Sequence, residues 1–271
     1  MQATKIAKRW LPPALLEHLK PMLGRGVYFS GRYDNWEAAS THASGYEASL
    51  ILERVKEATL KVKSGEAKYE RDSVLFNRVE HSFPVLAGLL RAALADDNRL
   101  SVLDFGGSLG SSYFQCRDFL SDISALKWNI VEQPHFVDCG HAHFETDELR
   151  FFYTISECIA QTKPNVALLS SVLQYLTEPY KVLGELMDAG IPYIVIDRTP
   201  FSNNEADRIT MQHVPPTIYK SSLPFRIYGK EFFLNSFRDR YNVTAQFGSC
   251  DGSAVVNCLE FSFGGMILRK I

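Results

Sequence analysis

The sequence predicts an α/β fold: a mostly parallel sheet with helices between its strands, preceded by a helical segment. Three observations predict it. From residue 100 onward, short apolar runs alternate with amphipathic stretches, the pattern of right-handed βαβ crossovers. The first of those runs ends in glycines and opens onto a helix. The last two runs are joined with no helix between them, so they pair antiparallel.

Taken in order, the residues before 96 read as helical. Ala14 to Met22 is a short apolar-basic segment. Tyr46 to Val62 places Leu50, Ile51, Val55, Ala58 and Val62 close to a 3.6-residue period, and Ser73 to Ala95 continues the pattern with an expected bend at Pro84. No β alternation stands out here. Asp96-Asp97-Asn98 is a polar turn that divides a helical extension, 1–95, from the core, 96–271. Strands are then expected at Leu100 to Phe105, Lys127 to Val131, Leu149 to Thr154, Val166 to Ser170 and Tyr193 to Ile196. Helices fall between them at Ser112 to Leu120, Phe136 to His143, Glu157 to Gln161 and Pro179 to Ala189. Thr199 to Gly229, with four prolines, reads as a long irregular stretch, the kind that is usually functional. A helix at Glu231 to Asp239 follows, then strands Asn242 to Phe247 and Cys258 to Leu268, joined through Gly248 to Gly252.

Composition narrows the function. The chain has 271 residues, 46% hydrophobic and 22% charged, with a formal charge of -2, which suits a globular protein and disfavours a dedicated nucleic-acid binder. Five scattered cysteines without a CxxC fit a reducing cytoplasm rather than a disulfide framework. No apolar run reaches the ~18–20 residues that span a bilayer, and Pro12-Pro13 and Glu17 interrupt any signal-peptide pattern.

The strongest chemical signal is Val102-Leu-Asp-Phe-Gly-Gly-Ser-Leu-Gly110, between a strand and a helix. Glycines there let the backbone approach a ligand, and the helix start offers free N–H groups. Glu132 closes the next strand, where a carboxylate accepts both ribose hydroxyls of a nucleoside cofactor. The spacing is not the G-x-G-x-x-G of dinucleotide sites, which disfavours a nicotinamide-dependent sugar oxidoreductase or epimerase. A non-catalytic cofactor-binding scaffold stays open.

Asp104 before the glycines, together with the final antiparallel pair, resembles the class I S-adenosylmethionine-dependent methyltransferases, with Ser108 in place of the middle glycine. Four motifs sharpen the resemblance: Asp104 to Gly110, Lys127-Trp-Asn-Ile-Val-Glu-Gln133, Leu169-Ser-Ser-Val-Leu-Gln-Tyr175 and Ile196-Asp-Arg-Thr-Pro200. With Gly31 to Trp36, Lys68 to Phe76 and Gln212 to Tyr219, they are similar to methyltransferases typically encoded among bacterial lipopolysaccharide and exopolysaccharide biosynthesis genes. The resemblance spans roughly residues 25 to 268. It implies a Rossmann-like sheet of seven strands with the last antiparallel, S-adenosyl-L-methionine as cofactor, and a sugar or glycan acceptor, nucleotide- or lipid-linked. It places the methionine end and ribose at Asp104, Phe105, Gly106, Gly107, Ser108 and Gly110. The ribose hydroxyls fall to Glu132, the adenine to Gln133, Ser156 and Glu157, and the amino-acid part to Ser170 and Ser171.

Methyl transfer to a hydroxyl needs an aligned acceptor and a base. His213 is the first candidate base, against a plain loop histidine. Asp197 is a second base, an acceptor ligand or an ion-pair partner of Arg198, and Tyr219 is a third base. Arg198 and Arg226 suit an anionic sugar, or structural pairs with Asp197, Glu205 or Asp207. Tyr175 suits stacking on a sugar face, or the core. Glu70-Arg71-Asp72 either reaches the site from above or is a surface cluster. Cys139, His141, His143 and Glu145 are metal-capable types, but a helix would turn the two histidines to different faces, so no metal site is expected. Residues 1–32 carry a formal +5 among Trp and Leu residues, which suits either peripheral contact with an anionic inner membrane or a helix docked on the core.

Overall fold

The computed structural model describes residues 26–44, 48–71, 73–215 and 221–271. The basic segment 1–25, Asp72 and Tyr219 lie outside the described residues. In chain order the elements begin with β1 (Tyr28–Tyr33), α1 (Trp36–Ser40), α2 (Ala48–Lys63), β2 (Tyr69–Arg71), β3 (Val74–Phe76) and α3 (Phe83–Leu94). Alternation follows: β4 (Arg99–Phe105), α4 (Ser111–Cys116), β5 (Ala125–Val131), α5 (Pro134–His143), β6 (Leu149–Phe152), α6 (Ile155–Thr162) and β7 (Val166–Ser170). A 3₁₀ turn (Leu173–Tyr175), α7 (Pro179–Asp188), β8 (Tyr193–Ser202), β9 (Arg208–Val214) and β10 (Ser221–Gly229) come next. The chain closes with α8 (Lys230–Asn235), β11 (Tyr241–Val256) and β12 (Leu259–Lys270).

The central strands are apolar along their length because both of their faces are covered. On β4, Leu100 and Val102 join one core with α3, α4 and α5, while Leu103 joins the other with α6 and α7. On β8, Tyr193 and Val195 face the first core, and Ile194 and Ile196 the second. Seven strands run in the order β6-β5-β4-β7-β8-β12-β11. The first five are parallel, and β12 lies antiparallel to β8. This order, with the last strand antiparallel and inserted beside β8, is the Rossmann-like class I methyltransferase sheet.

Several expectations need correction. Thr199 to Gly229 is not irregular: β8 runs on to Ser202, and β9 and β10 form an antiparallel pair. Past Asp197, where β7 ends, β10 takes its place beside β8 at Phe201 and Ser202. Pro224 is tolerated because β10 there pairs only with β9, leaving the other edge without a ladder. The extension is not all helical either. β1 pairs with β9, about 180 residues away, and no local pattern announces such a pairing. Pro84 sits in the first turn of α3 rather than bending it, since a proline's missing N–H costs nothing there. The hairpin between β11 and β12 turns at Asn257-Cys258, both at positive φ, and Gly248 to Gly252 is a bulged part of β11. α3 packs Leu86, Leu89 and Ala93 into the same core as Val102 and Val195.

Candidate active site

A cavity of about 1090 Å³ opens at the carboxyl ends of β4, β7 and β8. Sites for one small molecule usually measure roughly 300–1,000 Å³, so this one has room for two ligands. Its floor is the loop after β4. Gly106 has φ +71, and a Cβ there would lie 2.4 Å from Val172 Cγ2. A Cβ on Gly107 would lie 2.6 Å from the Asp104 carboxylate. The loop is thus pressed between the strand end and the turn after β7, and only glycines fit. Ser108, Ser171 and Arg198, all non-glycine residues in left-handed backbone, line the same cavity. Left-handed backbone at such residues clusters where geometry is imposed by a site.

Asp104 ends up beneath the loop rather than at its surface. Its carboxylate is 1% exposed and accepts a hydrogen bond from Trp128 Nε1 at 2.9 Å. Burial pushes its pKa up to about 7, the indole bond opposes that rise, and the Glu132 charge adds to it. Glu132, at the end of β5, accepts from the Gln133 backbone N–H at 2.6 Å and from the Ser108 N–H. Burial raises its pKa and those two bonds lower it. Glu132 therefore sits across the glycine loop, where a carboxylate can turn to a diol.

Ser170 and Ser171 line the cavity. Gln174, which the sequence reading passed over, lines it too. Its Nε2 donates to Ser171 Oγ (3.1 Å) and to the Arg198 carbonyl (3.2 Å), tying the ends of β7 and β8 together. Its signal was one polar side chain inside the apolar Leu173 to Leu176 turn.

Asp197 ends the β7-paired part of β8, is 4% exposed and lines the cavity. Burial raises its pKa, while the Arg198 charge, the Arg198 backbone N–H and the Ser82 hydroxyl, 3.4 Å away, lower it. The Arg198 guanidinium forms its ion pair with Asp251 on β11, at 2.7 Å. Tyr175 lines the cavity, with its hydroxyl on Gln212 Oε1 at 3.0 Å.

Other candidates are not brought to the cavity. His213 does not itself line the cavity, although its strand neighbours Gln212 and Val214 do. Its ring stacks on Tyr28, which also lines the cavity (4.4 Å between centroids), and shares a hydrogen bond with Ser30 Oγ. Burial lowers its pKa. Arg226 pairs with Asp207 (3.7 Å), donates to the Thr177 carbonyl and covers the Trp36 ring, which is a structural role. Glu157 closes the start of α6 by accepting from the Tyr153 N–H, while its own N–H donates to Thr154. Glu132, Gln133, Ser156 and Glu157 lie outside the cavity lining, as do Phe105 and Gly110. Among the described residues no three His, Cys, Asp or Glu side chains gather as metal ligands, and His141 bonds Glu145 at 2.9 Å.

The segment before β4 supplies one wall through Tyr69, Arg71, His81 and Ser82. Only the folded topology brings these residues to the site, so the sequence left Arg71 undecided and missed His81 and Ser82. Among the described residues no helix is long and apolar enough to cross a membrane.

No family model matches the chain, and no curated protein matches its sequence. Solved structures do. The N-terminal domain of EvdMO1, crystallised in the presence of SAH and D-fucose, is 14% identical, with 83% of this chain and 98% of that one covered and a TM-score of 0.46. The glycopeptide N-methyltransferase MtfA, complexed with S-adenosyl-L-methionine, is 11% identical over 67% of this chain and 93% of that one, at a TM-score of 0.45. CalS10, an amino pentose methyltransferase from Micromonospora echinaspora, is 10% identical over 80% and 97%, at a TM-score of 0.45. At TM-scores of this size, the strand order, not these neighbours, identifies the fold.

Proposed function

We propose that the chain is an S-adenosylmethionine-dependent methyltransferase that methylates a sugar hydroxyl in surface polysaccharide biosynthesis. The observation that carries this reading is the glycine loop of β4 at the floor of a cavity with room for cofactor and acceptor, with Glu132 of β5 bonded to the loop through the Ser108 N–H. The residues present fit the cofactor: Gly106 and Gly107, whose Cβ atoms would strike Val172 and Asp104, keep the loop backbone bare at the cavity floor, and Glu132 supplies the acceptor of a ribose diol. Ser170 and Ser171 would hold the amino-acid part. When bound, adenosylmethionine supplies an electrophilic methyl on a sulfonium.

This chain's own residues do the rest. Asp197 is the proton acceptor: a carboxylate buried at the cavity wall, with its pKa raised by that burial, is a better base than an exposed one. Ser82 and the Arg198 N–H orient it. Phe29, Tyr175 and Phe263 give the same cavity aromatic surface for a sugar face. The core, 96–271, carries the cofactor loop, and the segment before it closes the wall.

The test is mass spectrometry of surface glycan from cells making the wild-type protein or Asp197→Asn. The reading expects a sugar 14 mass units heavier, the ~14 of one added CH₂, in the first only. Identical glycans in both would overturn it.

A further inference from the structure

The geometry points to Arg71 as the anion anchor of the cavity, holding the carboxylate of the cofactor's methionine part; this rests on the cofactor reading above. Among the described residues that line the cavity, the lysines and arginines are Arg71 and Arg198 alone. Arg198 is tied to Asp251 at 2.7 Å. Arg71, at the end of β2, has a different kind of company: its Nη1 lies 3.5 Å from Cys250 Sγ and its guanidinium lies 5.6 Å from the centre of the Phe76 ring. Neither neighbour is a carboxylate.

A guanidinium facing a cavity without a carboxylate partner is matched to an oxyanion from the ligand, which it takes through two parallel N–H bonds. Its placement says which oxyanion. Glu70, the residue before it, accepts a hydrogen bond from the hydroxyl of Ser111, the first residue of α4, directly after the glycine loop. β2 also packs on α4. The backbone of β2 is thus fixed beside the glycine loop, and the Arg71 side chain reaches into the cavity from there toward Cys250 on β11. The floor on that side presents the Asp104 carboxyl, with Glu132 bonded behind the loop, groups that suit hydroxyls and an ammonium but not a carboxylate. A zwitterionic amino-acid end needs one cation as well, and Arg71 supplies it. A phosphate on the acceptor offers the same oxyanion chemistry from the other side of the cavity.

Calorimetry on the full chain separates these sources. The probes are adenosylhomocysteine, which has the amino-acid part, 5′-methylthioadenosine, which lacks it, and inorganic pyrophosphate. Arg71→Ala should weaken adenosylhomocysteine on the order of 10- to 100-fold, the size of one charged hydrogen-bonded contact. Methylthioadenosine should change by less than about twofold on the same tenfold-per-1.4 kcal/mol scale. Arg71→Lys, which keeps the charge without the fork, should fall between. Equal weakening of both nucleosides would mean a damaged fold and overturn the assignment. Unchanged adenosylhomocysteine affinity with loss of pyrophosphate binding would overturn it in favour of an acceptor phosphate. No adenosylhomocysteine binding by the wild-type chain would instead refute the cofactor reading on which it rests.

Discussion

The Asp104 carboxylate accepts a hydrogen bond from Trp128 Nε1 at 2.9 Å, joining β4 to β5 directly under the glycine loop. This pair explains why the acidic residue of the motif is 1% exposed, and it sets up a measurable pH effect.

Burial raises the Asp104 pKa from an ordinary 3.8 to about 7. Between those values the folded chain holds a proton that the unfolded chain has released. Stability from this group is therefore full below about 4 and falls as pH rises toward about 7. Asp104→Asn keeps an acceptor for the indole and removes the titration. Denaturant melts should show the variant gaining on wild type from pH 4 to 7, by up to about 4 kcal/mol, and holding level above that. A constant difference across the range would show that Asp104 is ionised throughout.

Of the candidate bases that the sequence offers, the proposed function takes Asp197 rather than His213. Asp197→Asn should lower turnover about 10²–10⁴-fold with adenosylhomocysteine affinity intact. His213→Ala should leave turnover within a few fold and lower the melting temperature by loosening β1 from β9, since it loses the Tyr28 stack and the Ser30 bond. Paired kinetics and melts of both variants check this. A collapse of turnover in His213→Ala alone would return the base to that histidine.

Gly106 is constrained twice, by φ +71 and by a Cβ position 2.4 Å from Val172 Cγ2. Gly106→Ala should abolish measurable adenosylhomocysteine binding and cost about 1–3 kcal/mol of stability. Adding Val172→Ala removes the clash but not the backbone strain, so the double variant should regain part of the stability. Full recovery would mean that only the clash mattered; no recovery would mean that the backbone alone did.

The core sheet was legible because each buried strand is a local apolar run bounded by polar turns, as at Val166 to Ser170. Asp104, Glu132, Ser170 and Asp197 were legible for the same reason: strand ends place them. What was not legible depends on contacts distant in sequence. β1 forms only because β9 is there to pair with it, and the stack of His213 on Tyr28 follows from that pairing. Prolines at 215, 216 and 224 hid β9 and β10, although the edge position makes Pro224 harmless. Arg71 and Ser82 reach the cavity through the packing of β2 on α4 and of α3 on β8, and no spacing in the chain encodes that.

Under the proposed function, the β4 loop and Glu132 hold an adenosyl cofactor rather than a nicotinamide dinucleotide. Calorimetric titration of the full chain with adenosylhomocysteine and, separately, with NAD tests it most directly. One adenosylhomocysteine site per chain is expected, weakened by about 1–3 kcal/mol in Glu132→Ala, with no heat from NAD. Binding of NAD with none of adenosylhomocysteine, or an affinity untouched by Glu132→Ala, would contradict it.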